Sequence, residues 1–123
     1  MGLLDRLKNT PGDPYDNVDV DAACTLVAAG ALLLDVRSDS EWAAGHAHDA
    51  VHLELFKVAE RGAHIAGDRH VVTACRSGGR SSVAAKVLAE QGVPVSNLRG
   101  GMSAWARSGQ PVVKDSGRTG SVI

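Results

Sequence analysis

The chain has 123 residues, of which 44% are hydrophobic and 22% are charged, and its formal net charge at pH 7 is −1. This length suits one domain that can bury a core without disulfides or metals. The near-neutral charge offers no basic field for nucleic acid or an anionic membrane. No stretch approaches the roughly 20 apolar residues that span a bilayer.

The chain has two cysteines, Cys24 and Cys75. Two such residues form neither a disulfide framework nor a paired metal-binding spacing. The first eight residues mix leucine with charged residues and lack the continuous apolar block of a secretory signal. We therefore expect free thiols in a reducing compartment, the cytoplasm.

The N-terminal third predicts an extension followed by one strand and one helix. Residues 1–17 combine an amphipathic turn with a loop rich in proline and glycine, which predicts an N-terminal extension. Residues 18–20 predict a short extended segment, and Asp21 is expected to cap a helix that ends at Gly30. The apolar run 31–34 predicts a strand that is buried on both faces.

A helix start is encoded at Ser38, three residues before Glu41. This spacing is typical of a capping box, in which each residue satisfies an amide of the other. It predicts a short helix that ends at Gly45. A short strand is expected next, over residues 51–53.

The second half of the chain continues the alternation of helices and strands. Residues 54–61 predict a weaker helix that stops near Gly62, and residues 70–74 predict a strand that runs directly into Cys75. The remaining predicted elements are a helix with an apolar stripe of Val83, Ala84, Val87 and Leu88, a strand over 95–98 and a short helix over 102–108.

Strands that alternate with short helices predict an α/β domain on a mostly parallel sheet. In such sheets, ligands bind outside the carboxyl ends of the strands, and Cys75 lies at such an end. The predicted domain covers residues 18–113. The polar residues 114–123 are expected to form a flexible C-terminal tail.

Cys75 has the surroundings of a reactive thiol. A loop with Gly78 and Gly79 separates the strand from the next helix, so backbone amides and the positive end of the helix dipole should face the sulfur. Arg76 and Arg80 add positive charge. Each effect favours the thiolate, and we expect the pKa of Cys75 to lie below its ordinary value.

Other candidate residues have simpler interpretations. Cys24 lies among small apolar residues and fits a buried, inert thiol, an interpretation that suits Cys75 poorly. His46, His48 and His52 would share one face of an extended segment, which raises the possibility of a metal site. No further ligand clearly completes the set, so hydrogen-bonded or solvated histidines are expected.

Four motifs follow one another between residues 18 and 113. They are Leu33-Leu34-Asp35-Val36-Arg37, then Glu41-Trp42 with Gly45-His46, then Cys75-Arg76-Ser77-Gly78-Gly79-Arg80-Ser81, and then Leu98-Arg99-Gly100-Gly101-Met102 with Trp105 and Gly109-Gln110-Pro111-Val112. In this order and spacing, the sequence resembles the rhodanese family.

The resemblance implies a rhodanese-like three-layer domain, with a central sheet of about five mostly parallel strands flanked by helices. It also implies a sulfurtransferase in which the Cys75 thiolate takes sulfane sulfur from an anionic donor such as thiosulfate. The resulting persulfide would pass its sulfur to cyanide or a thiol, without a cofactor or metal. The residues expected to cradle the transferred sulfur and its donor are Arg76, Ser77, Gly78, Gly79, Arg80 and Ser81.

Two residues and two other functions complete the sequence-based expectations. Asp35 and Arg37 are expected to stiffen the cradle through hydrogen bonds to loop backbone.

One other function is a sulfur-relay or binding module that acts on a protein partner. The second is phosphatase or arsenate chemistry, suggested by the four residues between Cys75 and Arg80. Relatives that hydrolyse phosphate esters have one more residue there, so the shorter loop favours sulfur.

Overall fold

The computed structural model of the protein describes residues 14–123. In this part of the chain, five strands form one parallel sheet in the order β1-β5-β4-β2-β3. The strands are β1 (Asp16–Val18), β2 (Leu32–Asp35), β3 (Val51–His52), β4 (Val71–Ala74) and β5 (Val95–Leu98). The predicted amphipathic turn (Leu3, Leu4, Leu7) lies outside the described residues.

Five α-helices connect or follow the strands within the same part of the chain. They are α1 (Val20–Ala28), α2 (Asp39–Ala44), α3 (Val58–Ala66), α4 (Gly79–Glu90) and α5 (Gly101–Arg107), and a 3₁₀ turn (Leu55–Lys57) precedes α3. The α/β prediction and the predicted sheet of about five strands are confirmed.

The sheet separates two layers of apolar side chains because successive residues of a strand point to opposite faces. Leu32 and Leu34 of β2 pack in one cluster with residues of α3 and α4. Leu33 and Val72 pack in the other, with residues of α1 and α5. Cys75 continues the alternation of β4 and lies in the α3–α4 layer.

Several local predictions are confirmed, and two helix boundaries are corrected. The capping box of Ser38 and Glu41 is present at the start of α2, which ends at Gly45 as predicted. The cap of α1 is Asp19, whose carboxylate accepts the Ala22 amide at 2.8 Å, and not Asp21, which lies in the first turn. The capping motif is therefore shifted by two residues.

Gly62 does not end a helix; it lies inside α3. A Cβ atom at this position would lie 2.8 Å from Leu88 Cδ2 in α4. The glycine therefore permits the close approach of two helices, a requirement that only the packing reveals. In α4 the buried stripe also differs from the prediction, because Val83 is 53% exposed while Ala84 and Leu88 are buried.

The last residues of the chain also differ from the expectation of a free tail. Val113 pairs with His46 through two backbone hydrogen bonds of 2.8 Å and forms an antiparallel bridge with Thr119. The Ser121 amide donates to the Ala44 carbonyl at 2.8 Å. These bonds join a C-terminal hairpin to the end of α2.

Strand β1 begins at Asp16, two residues before the predicted start of the domain. None of the helices described between residues 14 and 123 has the length and apolar character needed to cross a membrane.

Candidate active site

Cys75 is the first residue after β4, at the carboxyl end of the central strand of the sheet. Its side chain is only 1% exposed. The Gly78 amide donates a hydrogen bond to Sγ at 3.1 Å, and the Ser81 hydroxyl donates another at 3.2 Å. Gly78 adopts a φ of +119°, which L side chains rarely adopt, so a glycine is required for this loop shape.

These donors decide the ionisation of the thiol. Burial alone would raise the pKa of Cys75, but hydrogen bonds from the Ser81 hydroxyl and from the amides of Ser81, Gly78 and Ser77 outweigh it. The pKa of Cys75 therefore lies below its ordinary value of 9.0. Because the thiolate is the nucleophilic form of cysteine, the site increases the fraction of reactive sulfur at neutral pH.

The start of α5 fixes the orientation of the loop that contains Cys75. The Met102 amide donates to the Cys75 carbonyl at 2.7 Å, and the Ser103 amide donates to the Arg76 carbonyl at 3.0 Å. In a planar trans peptide, the N–H points opposite to the C=O. Turning the Arg76 carbonyl toward α5 therefore turns the Ser77 amide away from α5, toward the sulfur.

Gly101 makes this contact possible. A Cβ atom at Gly101 would collide with the carbonyl oxygen of Cys75 and would lie 2.7 Å from that of Arg76. Gly101 is one of the residues that carry the family resemblance, and local sequence indicates only a turn at Gly100-Gly101. Its contact with the loop depends on the pairing of β4 with β5, which local sequence does not show.

A buried hydroxyl below the loop supports the first turn of α4. Thr73 of β4 is fully buried, and its Oγ1 donates to the Ser81 carbonyl at 2.9 Å. Ser81 is also fully buried, and its hydroxyl lies 3.2 Å from the Gly78 carbonyl as well as from Cys75 Sγ. Thr73 thus fixes the backbone of Ser81, and the Gly78 carbonyl lies next to the Ser81 hydroxyl. Together these contacts keep the hydroxyl beside the sulfur.

Arg80 does not point a free charge at the thiol. Its guanidinium forms two hydrogen bonds with the Glu41 carboxylate, of 2.6 Å from Nη1 and 2.9 Å from Nη2. The Arg80 hydrogen bonds lower the pKa of Glu41 to about 2, and Glu41 in turn raises the pKa of Arg80. The predicted positive contribution of Arg80 is therefore largely cancelled by the Glu41 carboxylate, for which local sequence indicates only a helix cap.

Arg76 also has a partner in the protein, because its Nε donates to the main-chain carbonyl of Ile123 at 2.9 Å. Its side chain makes no hydrogen bond to Cys75 in the described residues. A Cβ atom at Gly79 would meet nothing within 4 Å, so the tight turn depends on Gly78 rather than on both glycines. The loop stabilises the thiolate with amides and one hydroxyl.

Asp35 and Arg37 form a buried ion pair behind the site. The Arg37 guanidinium donates to the Asp35 carboxylate at 2.7–3.0 Å and to the Gly45 carbonyl at 2.8 Å. Both side chains are at most 1% exposed. The pair therefore fastens the end of α2 to β2, and its hydrogen bonds reach Gly45 rather than the loop after β4.

The three histidines do not share a face. The rings of His46 and His52 both stack on Trp42, with ring centres 3.6 Å and 4.9 Å from the Trp42 ring centre. His48 is exposed and pairs with Asp49 at 2.9 Å. Among the described residues, no three or more histidine, cysteine, aspartate or glutamate side chains are grouped to hold a metal ion.

Cys24 lines a separate cavity of about 310 Å³ that Val27 and Trp105 help to form. These residues belong to α1 and α5, whereas Cys75 lies in the α3–α4 layer. Burial and the charge of Asp21 raise the pKa of Cys24. These shifts favour the protonated thiol at Cys24 and the thiolate at Cys75. Cys24 is partly exposed rather than buried, which differs from the expectation.

The comparisons with known proteins agree with the fold and the family. A family model described as Rhodanese-like domain matches residues 20–108. A protein named Sulfurtransferase from Allochromatium vinosum is 46% identical over 87 residues, which cover 70% of this chain and 81% of that protein. Thiosulfate sulfurtransferase 16 (chloroplastic) from Arabidopsis thaliana is 32% identical over 108 residues, covering 77% and 90% of the two chains.

Among solved structures, a rhodanese-related protein from Thermoplasma volcanium superimposes with a TM-score of 0.74 at 24% identity, over 80% of this chain and 98% of that one. This likeness shows a common fold. The family match and the names of the relatives support sulfur transfer as the general class of activity. The chain belongs to the family of rhodanese-like domains.

Proposed function

We propose that the protein transfers sulfane sulfur from a small donor to a thiophilic acceptor through a persulfide on Cys75. The observation that carries the proposal is the convergence of the Gly78 amide and the Ser81 hydroxyl on one sulfur at the end of β4. These donors stabilise the attacking thiolate, and the loop amides are suited to the terminal sulfur anion of a persulfide. Arg76 stands at the edge of this loop and is proposed to meet the donor, whereas Arg80 is occupied by Glu41.

The reaction has two displacement steps. The Cys75 thiolate attacks the sulfane sulfur of the donor, an S–S bond forms, and the donor's own S–S bond breaks to release sulfite when the donor is thiosulfate. Cyanide or a thiolate then attacks the outer sulfur and regenerates the Cys75 thiolate. Over a full cycle, the protein neither gains nor loses electrons, so the reaction requires no resident redox cofactor.

The burial of Cys75 favours a small transferred group. The side chain is 1% exposed, so a reagent reaches it only where the loop admits it. A single sulfur atom needs less space than a phosphoryl group with three equatorial oxygens. In addition, Arg80 is already paired with Glu41 and is not free to hold a phosphate.

Mass spectrometry tests the proposal directly. After incubation with thiosulfate, the intact protein should gain the mass of one sulfur atom on Cys75, and cyanide should remove it with release of thiocyanate. The Cys75→Ser variant should not be loaded, whereas Cys24→Ala should be loaded like the wild type. Loading that persists in Cys75→Ser, or that requires Cys24, would contradict the assignment.

A sulfur-relay role with a protein acceptor is the second candidate. It uses the same persulfide and is favoured by the exposure of Arg76, Ser77 and Gly79 in the loop after Cys75, which offers a surface to a protein partner. Turnover should then be slow with cyanide and faster with a reduced protein dithiol. A cyanide rate that equals or exceeds the rate with the protein dithiol would exclude this role.

Phosphatase or arsenate chemistry remains a third, less favoured candidate. A relative named HIGH ARSENIC CONTENT 1 from Arabidopsis thaliana is 30% identical over 120 residues, covering 87% of this chain and 71% of that protein. We expect the protein neither to hydrolyse an aryl phosphate nor to reduce arsenate in a Cys75-dependent way. We further propose that it acts in a reducing compartment, the cytoplasm, because both cysteines are free thiols.

A further inference from the structure

Two arginines around the site form neutral pairs with carboxylates, whereas Arg76 is bonded only to a main-chain carbonyl. Arg37 is paired with Asp35 in the interior, and Arg80 is paired with Glu41 at the edge of the site. The loop itself offers amides and the Ser81 hydroxyl. A donor that approaches the sulfur therefore meets hydrogen-bond donors and the charge of Arg76, while the charge of Arg80 is compensated by Glu41.

Glu41 is held firmly in this position. Its Oε1 accepts hydrogen bonds from the Ser38 amide at 3.1 Å and the Ser38 hydroxyl at 2.9 Å, so the helix cap orients the carboxylate before it meets Arg80. The side chain of Glu41 is 15% exposed, against 41% for Arg80. Both terminal nitrogens of the guanidinium are occupied by the two carboxylate oxygens, a planar and specific arrangement.

We propose that Glu41 is a specificity-determining residue, which by neutralising Arg80 makes the site select sulfane-sulfur donors of low charge over the thiosulfate dianion. This inference rests on the proposed sulfur transfer and deepens it by naming the donor class. Organic donors such as thiosulfonates and persulfides, with at most one negative charge on the reacting group, fit this class.

The physical reason is the repulsion that a dianion experiences from a carboxylate and a thiolate. Cys75 contributes to the raised pKa of Arg80 through its charge, so the guanidinium and the sulfur are within electrostatic range of each other. By Coulomb's law screened as in water, one unit of positive charge at a separation of about 6 Å changes affinity about threefold for each unit of charge on the donor. The expected gain is therefore about threefold for a monoanion and about tenfold for a dianion.

Two donors of similar shape separate charge from size. Thiosulfate carries two negative charges, and methanethiosulfonate carries one, with a methyl group in place of a charged oxygen. With methanethiosulfonate, the Cys75 thiolate takes the sulfane sulfur and methanesulfinate leaves. One anion and one thiolate thus yield one persulfide anion and one sulfinate, and the charge is conserved.

The test measures kcat/KM of both donors for the wild type, Glu41→Gln and Asp39→Asn at low ionic strength. Glutamine supports a capping box as glutamate does, so Glu41→Gln removes the charge and keeps the acceptor for Ser38. Asp39 lies in the same first turn of α2 and is exposed, and it makes no hydrogen bond with Arg80. Asp39→Asn therefore controls for the loss of a negative charge elsewhere in the turn.

In Glu41→Gln, kcat/KM should rise about tenfold for thiosulfate and about threefold for methanethiosulfonate. In about 1 M salt, where the Debye length is about 3 Å, this difference should disappear. Asp39→Asn should change the ratio of the kcat/KM values of the two donors by less than about twofold, as expected for an exposed charge. Thermal unfolding checks that both variants are folded.

Three results would overturn the inference. In Glu41→Gln, kcat/KM could rise by equal factors for both donors, or the ratio of the two kcat/KM values could stay unchanged. In Asp39→Asn, that ratio could change as much as in Glu41→Gln. Failure of the proposed function gives a different result: the wild type would then form no Cys75 persulfide with either donor, as read by intact mass.

Discussion

Replacing Ser81 with alanine tests the central physical argument, that hydrogen-bond donors keep Cys75 ionised. The substitution removes the hydroxyl that donates to Sγ at 3.2 Å and leaves the backbone amides in place. Ser81 is fully buried, so water does not replace the missing donor without entering the core. Thr73 still anchors the backbone at this position through the Ser81 carbonyl.

The expected magnitude follows from the energy of one charged hydrogen bond. Hydrogen bonds to charged groups contribute about 1.5–3 kcal/mol. The Ser81 hydroxyl is shared between the sulfur and the Gly78 carbonyl, both at 3.2 Å, so the lower end applies. Because 1.36 kcal/mol corresponds to a tenfold change in a protonation equilibrium, the thiolate-to-thiol ratio of Cys75 at a fixed pH should fall about tenfold.

The assay is a titration of the ultraviolet absorbance of the thiolate. Subtracting the titration of Cys75→Ser removes the contribution of Cys24. The control is Ser82→Ala: Ser82 Oγ donates to the Gly79 carbonyl at 2.7 Å and does not contact the sulfur. The thiolate titration of Ser82→Ala should match that of the wild type.

Two results would refute the reasoning. One is a Cys75 titration that does not move in Ser81→Ala, which would assign the stabilisation to the backbone amides alone. The other is a shift of equal size in Ser82→Ala, which would indicate a general loosening of α4 rather than the loss of one donor.

Two further predictions concern the contacts around this loop. Gly101→Ala should lower the free energy of unfolding by at least about 2 kcal/mol more than Gly109→Ala does. Both positions have positive φ, but only a Cβ at Gly101 collides with backbone. Denaturant unfolding measures the difference, and equal losses would show that the contact with Cys75 is not tight. For Glu41, the folded-state pKa of about 2 lies below the ordinary value of 4.5, so its stabilisation is complete above pH 4.5 and is lost as the pH falls toward 2. The difference in free energy of unfolding between the wild type and Glu41→Gln should therefore narrow by about 1–2 kcal/mol over this pH interval, after allowance for the solvent screening of Arg80. Denaturant unfolding at several acidic pH values measures it, and a difference that stays constant would contradict the role of the ion pair.

Local sequence was sufficient wherever a feature depends on residues close together in the chain. The capping box of Ser38 and Glu41 spans three residues, and the strand that precedes Cys75 is a short apolar run. Alternating strands and helices predicted a parallel sheet, and a parallel sheet places Cys75 at its carboxyl edge. The glycine at position 78 then allowed amides to face the sulfur.

Local sequence misled where packing between distant elements decides the outcome. Gly62 looked like a helix end, but it is a contact point between α3 and α4. The polar C-terminal residues 114–123 were predicted to be flexible, but the amides of Gly120 and Ser121 donate to the carbonyls of Val112 and Ala44. A glycine that permits close approach has the same local signature as a glycine that ends a helix.

The sequence by itself determined the α/β class, the helix cap at Ser38 and the place of Cys75 at the end of a strand, because each depends on local propensity and on the order of strands and helices. Only the tertiary structure decided the charge of the site. It brings Glu41 to Arg80 across 39 positions of the chain, and it brings the start of α5 to the carbonyls of the loop after β4. Ion pairs and close backbone contacts depend on distances of a few ångströms between separate elements, and these distances exist only after the sheet and its helices have packed.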